Sequence, residues 1–250
     1  MTKPPPHIRK SSRHGVARVI SKLGLGSRTQ AAQWVGAGRV RVNGQVIHDA
    51  EFPVRQDVDR VEIDGQVSKA AERIVLMLNK PRGLVTTARD EQGRATVYSC
   101  FADANLPWLA PVGRLDKASE GLLLFSNDPA WAAQITDPET GPSKTYHVQI
   151  DRVPDASLLA ALEQGVMLGD ERLAVTSARS LRVGGRNAWL EVVLDEGRNR
   201  QIRRILAALD VSVLRLVRVA IGRLVLGELP KGRWRVLTGQ ELDTLSRITP

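Results

Sequence analysis

The stretch RVRVNGQVI, Arg39 to Ile47, leaves the chain little choice of fold. Val40 and Val42 alternate with Arg39 and Arg41, the period of a half-buried strand. Asn43-Gly44 then supplies the residue types that tolerate positive φ in a type I′ turn, and Gln45-Val46-Ile47 returns. A hairpin this short needs a second layer to cover its apolar stripe. The residues just before it provide one. Val16, Val19, Ile20 and Leu23 follow helical spacing, and Gly24 and Gly26 end that helix. Ser27 offers an N-cap with Gln30 as its capping-box partner, and the second helix runs through Ala31, Ala32 and Val35 to Gly36 and Gly38. RVEIDG, Arg60 to Gly65, adds another short strand and turn. A helix-helix-hairpin domain over residues 15–66 is expected, preceded by a disordered, basic, proline-rich tail over residues 1–14.

After a linker from Gln66 to Glu72, residues 73–250 read as a second, larger domain. IVLMLNKP is a buried strand ended by Pro81; LLLF, KTYHVQI and AWLEVVL are further strands, with Tyr146, Val148 and Ile150 on one face. Asp128-Pro129 opens a helix through Trp131 and Ile135. Pro154 to Leu162, Arg200 to Leu209 and Gly239 to Ile248 are helical, the second with Ile202, Ile205, Leu206 and Leu209 inward. Strands and helices mix without a regular βαβ rhythm, so the fold class is α+β rather than doubly wound.

Charge narrows the partners. Thirty-six Lys and Arg against 27 Asp and Glu give a net charge of +9, which favours a polyanion because neutralised phosphates release counterions. One cysteine, Cys100, excludes an internal disulfide or a cysteine-rich zinc site. His7, His14, His48 and His147 lack metal-ligand spacing, so no metal is expected. Gly24-Leu25-Gly26 lacks the preceding strand and third glycine of a phosphate loop. The amino terminus has no apolar centre of the signal-peptide kind, which points to the cytoplasm, and no apolar run is long enough for a membrane span.

LGLGSRTQAAQWVGAGRVRVNGQVI resembles the alpha-L RNA-binding domain shared by a small-subunit ribosomal protein and several RNA-modifying enzymes. Ser27, Arg28, Gly38, Arg39, Val40, Val42, Asn43 and Gly44 carry the match, and Ala17-Arg18-Val19 departs from the usual opening of the first helix. The physics agrees. Arg28 lies in the first turn of a capped helix, whose free N–H groups favour an anion, and Arg39 and Arg41 point the same way at period two.

In VGRLDKASEGLLLFSND, Asp116 sits two residues after Arg114 and just before Lys117, cations that favour its ionised form. An ionised carboxylate in a cleft can be nucleophile, base or metal ligand, and Glu120 is the one nearby carboxylate for a glycosidase-like pair. Read alone, the loop favours an ordinary ion-pair role. Its context is different: GRLDKASEGLLLFSND resembles the signature of bacterial ribosomal-RNA pseudouridine synthases of the RsuA family. NKPRGLVTT with Asp90, KTY at Lys144 to Tyr146, EGRNRQIRR at Glu196 to Arg204, and LPKGRWRVLT match in order, covering the chain from about Val16.

That resemblance implies a synthase domain on a mixed, mainly antiparallel sheet with flanking helices, and a reaction that needs no cofactor. Asp116 would be the essential carboxylate, acting at C1′ or at the C2′ proton of a flipped-out uridine. Tyr146 would stack on the base, Arg203 would pair with Asp116, and Arg114 would fill the vacated stack. Arg28, Arg39, Arg41, Asn43 and Arg200 are expected RNA contacts, and Arg215, Arg218 and Arg223 are consistent with an RNA-facing cleft. Lys80 is assigned to fold support or phosphate contact. Trp34 and Trp131 read as core, and Arg198 and Arg204 as solvated. The implied partner is ribosomal RNA or a ribosomal assembly intermediate, met by a monomer. The competing class is a non-catalytic RNA-binding assembly factor on the same fold; a synthase for transfer RNA is weaker.

Overall fold

The computed structural model describes residues 12–69 and 71–246. The chain clusters into two units, the first formed by residues up to Arg73 with Leu106–Leu109 and Asn127–Pro129, the second by Ile74–Asn105, Ala110–Ser126 and the residues from Ala130 on.

The first unit contains β1 (His14–Gly15), α1 (Val16–Lys22), α2 (Arg28–Gly36), β2 (Val40–Val42), β3 (Gln45–Val46), β4 (Pro53–Val54), β5 (Val61–Ile63) and β6 (Gln66–Val67). The expected capping box starts α2: Ser27 accepts from the Gln30 N–H, and the Gln30 side chain accepts from the Ser27 N–H, each at 3.0 Å. Both dipeptide turns take positive φ, at Asn43 and Gly44 and again at Asp64 and Gly65. They fold an antiparallel sheet ordered β3-β2-β5-β6. Val16, Val19, Ile20, Ala31 and Val35 of the helices bury against Val40, Val42 and Val61 of the sheet. Two boundaries differ from expectation. Gln66–Val67, read as linker, returns from the Asp64-Gly65 turn to pair with β5. His14, read as tail, pairs with Val54. Residues 1–11 of that tail lie outside the described residues.

The second unit continues with β7 (Val75–Lys80), a 3-10 turn at Val97–Phe101, β8 (Ala110–Val112), β9 (Glu120–Ser126), α3 (Pro129–Thr136), β10 (Lys144–Ile150), α4 (Ala156–Gln164), β11 (Val166–Leu168) and β12 (Glu171–Leu173). It ends with β13 (Ser177–Val183), β14 (Ala188–Leu194), α5 (Gln201–Ala208), β15 (Val213–Ile221), β16 (Leu224–Val225), β17 (Trp234–Val236) and α6 (Gly239–Ser246). The main sheet runs β13-β14-β10-β15-β9-β7-β17, with β16 on β15 and β8 on β9. Its pairings are antiparallel except β15 with β9, which is the mixed, mainly antiparallel α+β sheet expected. No helix among the described residues is long and apolar enough to cross a membrane.

Register assigns the two faces. Lys80, Gly121, Arg218, Tyr146 and Val192 are successive cross-strand partners and form one lateral row on one face. The opposite face carries Val75, Met77, Leu122 and Leu124, which pack with Trp131 of α3 and Leu245 of α6. Gly121 is a requirement of the parallel junction. Its φ is +102°, and a Cβ there would lie 2.2 Å from the Arg218 carbonyl oxygen.

Candidate active site

Asp116 lies in the loop between β8 and β9, and the NKPRGLVTT segment holds that loop by its backbone. Lys80, fully buried, donates from Nζ to the carbonyls of Asp116 (3.1 Å), Ser119 (2.8 Å) and Pro81 (3.2 Å). The Gly83 N–H donates to the Lys117 carbonyl at 2.8 Å. The Thr86 hydroxyl donates to the Leu115 carbonyl at 2.7 Å and accepts from the Leu115 N–H at 3.3 Å. Three residues of one motif therefore fix the backbone of Leu115, Asp116, Lys117 and Ser119 around the carboxylate. Burial pushes the Lys80 ammonium down to about 8, against the pull of Asp116 and Glu120.

The Asp116 side chain pairs with Arg200, at 3.4 Å from Nη1 to Oδ2, with both partly exposed. Arg203, the expected partner, is directed elsewhere. Its guanidinium donates to the carbonyls of Ala118 (3.2 Å) and Val213 (3.4 Å), and its Nε is buried without a partner among the described residues. One turn of α5 separates the two arginines, so the residue at the helix start reaches the carboxylate while the inner one braces the loop behind it. Desolvation lowers the Arg203 pKa, the nearby Arg200 lowers it further, and Asp116 opposes both. Arg200 has φ +50°, an unusual backbone for arginine, and precedes α5 without a side-chain cap. A left-handed residue lining the cleft was not readable from EGRNRQIRR.

Asp116, Arg114 and Arg200 line one cleft of about 520 Å³, whose wall also includes Arg89, Asp90, Gln92 and Arg94. Arg94 clasps Asp90 across that wall, and its guanidinium holds the Asp90 carboxyl down at about 2. Arg114 is exposed at the loop. Tyr146 and Arg203 are not among the lining residues. Tyr146 is buried in the row of Lys80 and Arg218, on the sheet face that meets the Asp116 loop.

Glu120 does not form a pair with Asp116. It faces the other side of the sheet, almost fully buried, where Arg215 donates to it twice at 3.1 Å and Lys231 also bonds it. Burial pushes the Glu120 carboxyl up, but these two cations outweigh it and leave it below the ordinary range. The Arg215, Arg218, Arg223 series likewise splits. Arg215 and Arg218 lie on opposite faces because side chains alternate, and Arg218 is buried, donating to the Leu122 carbonyl at 2.8 Å. Arg198 and Arg204, read as solvated, both hold Glu171. Among the described residues, no group of three His, Cys, Asp or Glu side chains could hold a metal ion.

In the first unit, Arg28 and Arg41 are exposed. Arg39 lies over the Trp34 ring at 5.6 Å and is bound bidentately by Asp64. The Asn43 amide donates to Asp59 and accepts from the Arg60 N–H, both at 2.9 Å, and so locks its turn.

A carboxylate on a braced loop beside a cationic cleft suits chemistry on an anionic substrate, and comparison with known proteins supplies the class. Residues 74–208 match the RNA pseudouridylate synthase family and residues 16–59 the S4 domain. An uncharacterized RNA pseudouridine synthase of Aquifex aeolicus is 36% identical over 232 residues, 92% of each chain. Ribosomal large subunit pseudouridine synthase B of Bacillus subtilis is 33% identical over 234 residues, 92% of this chain and 95% of the relative. A solved pseudouridylate synthase superposes with TM-score 0.65 at 30% identity, over 94% of this chain and all of its own. The chain belongs to the RNA pseudouridine synthases, with an S4 domain at its amino-terminal end.

Proposed function

We propose that the chain converts one uridine of ribosomal RNA to pseudouridine, with Asp116 as the essential carboxylate acting on a nucleotide turned out of its helix. Matches named large-subunit synthase B make large-subunit RNA the first substrate to test. The observation that carries the reading is the Asp116 carboxylate at a cationic cleft, its backbone braced from three sides and Arg200 beside it. The reaction breaks the bond from C1′ to N1, turns the base, and joins C1′ to C5, whose proton leaves while N1 gains one. Nothing is consumed, so no cofactor is invoked.

A carboxylate at Asp116 can attack C1′ or take the C2′ proton, and Arg200, 3.4 Å away, would orient it in either route. Flipping costs a few kcal/mol, and Arg114, exposed at the cleft, is the candidate to occupy the gap in the stack. Tyr146, on the same sheet face as Lys80, is the candidate to meet the base from below. Arg203 acts through the loop rather than through the carboxylate. Arg28 and Arg41 of the first unit would contact phosphate. The protein would work as a monomer in the cytoplasm.

Incubating the protein with a large-subunit RNA transcript and mapping pseudouridine tests the reading. One defined site is expected with the natural chain and none with Asp116→Asn. Tight binding without conversion would instead mark a non-catalytic RNA-binding protein.

A further inference from the structure

The sheet face opposite the Asp116 loop has two parts. Helices α3 and α6 cover its Leu122 and Leu124 end. On β10, β14 and β15, beyond that cover, Trp189, His147, Gln149 and Val217 are all part-exposed. Register places Arg182, Trp189, Gln149 and Arg215 in one lateral row across β13, β14, β10 and β15. Three strand spacings make this row roughly 14 Å long. The Arg215 guanidinium lies over the Trp189 ring at 5.4 Å and is anchored by Glu120. Arg182, opposite Trp189 on the free-edge strand, is exposed and has no carboxylate partner among the described residues. In the next row Arg179 pairs with Glu191, which also meets His147 at 3.5 Å.

An indole on an antiparallel sheet, with one guanidinium over its ring and a second arginine at the register position opposite it, is suited to stack a base and to bind the neighbouring phosphate. Resting on the reading of the chain as an RNA enzyme, we propose that this face is a second RNA contact, where Trp189 stacks on an unpaired nucleobase and Arg182 neutralises a neighbouring phosphate. The charge pattern selects RNA over a protein partner: Glu120 is buried and spent on Arg215 and Lys231, leaving the outer row cationic. The surface would hold RNA outside the catalytic cleft and so act on affinity without touching the chemistry.

The test uses the full chain and a fluorescein-labelled single-stranded oligouridylate, with anisotropy read across a series of salt concentrations. Trp189→Ala should weaken binding roughly 5- to 100-fold, and Trp189→Phe, which keeps a ring, should restore most of it. Arg182→Gln, on an exposed side chain that leaves the fold intact, should lower the slope of log affinity against log salt by about 1. On the large-subunit transcript, both Trp189→Ala and Arg182→Gln should raise KM and leave kcat at the natural value. Affinity and salt slope unchanged in Arg182→Gln, or binding by Trp189→Ala within twofold of the natural chain, would overturn the proposal. If the natural chain binds the oligomer through this face yet forms no pseudouridine in any transcript, the catalytic reading fails and this surface stands.

Discussion

Lys80 shows how a single residue sets the local chemistry. A fully buried ammonium is tolerated because three carbonyl oxygens replace its water, one of them that of Asp116. Its folded pKa, about 8, lies below that of a free lysine, so between these values the unfolded chain binds the extra proton. Stability therefore does not fall through this window; the Lys80 contribution rises with pH. Activity should behave oppositely, because a neutral amine loses one of its donors to the loop. A basic limb near pH 8 is expected in single-turnover conversion, with an unfolding midpoint in urea that does not decline from pH 8 to 9. A rate that stays flat through pH 9 would remove Lys80 from the positioning of Asp116. Arg200 gives a second test at this scale. Asparagine accepts positive φ and can cap a helix, so Arg200→Asn should keep or raise the melting temperature. Loss of a charge-assisted contact to Asp116 should slow conversion by roughly 10- to 100-fold. Unchanged conversion would show that the carboxylate does not use Arg200.

At the scale of elements, the parallel contact of β9 with β15 joins the Asp116 loop to the rest of the sheet. Gly121→Ala would drive a Cβ into the Arg218 backbone at a φ that alanine resists, and should cost roughly 3 kcal/mol or more in urea unfolding. A loss below 1 kcal/mol would mean that the junction relaxes freely. The strands with alternating or continuous apolar residues were legible beforehand, as were the α2 capping box, the positive-φ Asn43-Gly44 turn and the turn at Asp64-Gly65, because each is a local signal. β13 was not, since its side chains are almost all exposed, Leu181 and Val183 included, and only pairing with β14 makes it a strand. The β11–β12 hairpin and the 3-10 turn at Val97–Phe101 were also unread, each too short to show a period. Within the site, Asp116 and the arginine-rich helix were visible in sequence. Which arginine meets the carboxylate was not, because it depends on the left-handed Arg200 and on carbonyls of Ala118 and Val213 that sequence does not bring together. The same limit applies to Arg215 and Arg218, whose opposite faces follow from strand alternation once the strand is known to continue through both.

For the whole molecule, a net charge of +9 makes RNA affinity an ionic-strength quantity. If six phosphates are contacted, affinity should drop by about a thousandfold between 50 and 200 mM salt. Asp116→Asn should keep the same salt slope, since the proposed role of the carboxylate is in chemistry and not in holding the backbone. A slope near zero would contradict binding through the cationic surfaces of either unit.

The proposed conversion of a ribosomal-RNA uridine by Asp116 is tested most directly in cells. Ribosomal RNA from cells lacking this protein is labelled with carbodiimide and mapped by primer extension, after complementation with the natural chain or with Asp116→Asn. One defined stop is expected to vanish in the deletion, to return with the natural chain, and to stay absent with Asp116→Asn. A stop restored by Asp116→Asn, or ribosomal RNA unchanged by the deletion at every position, would contradict it.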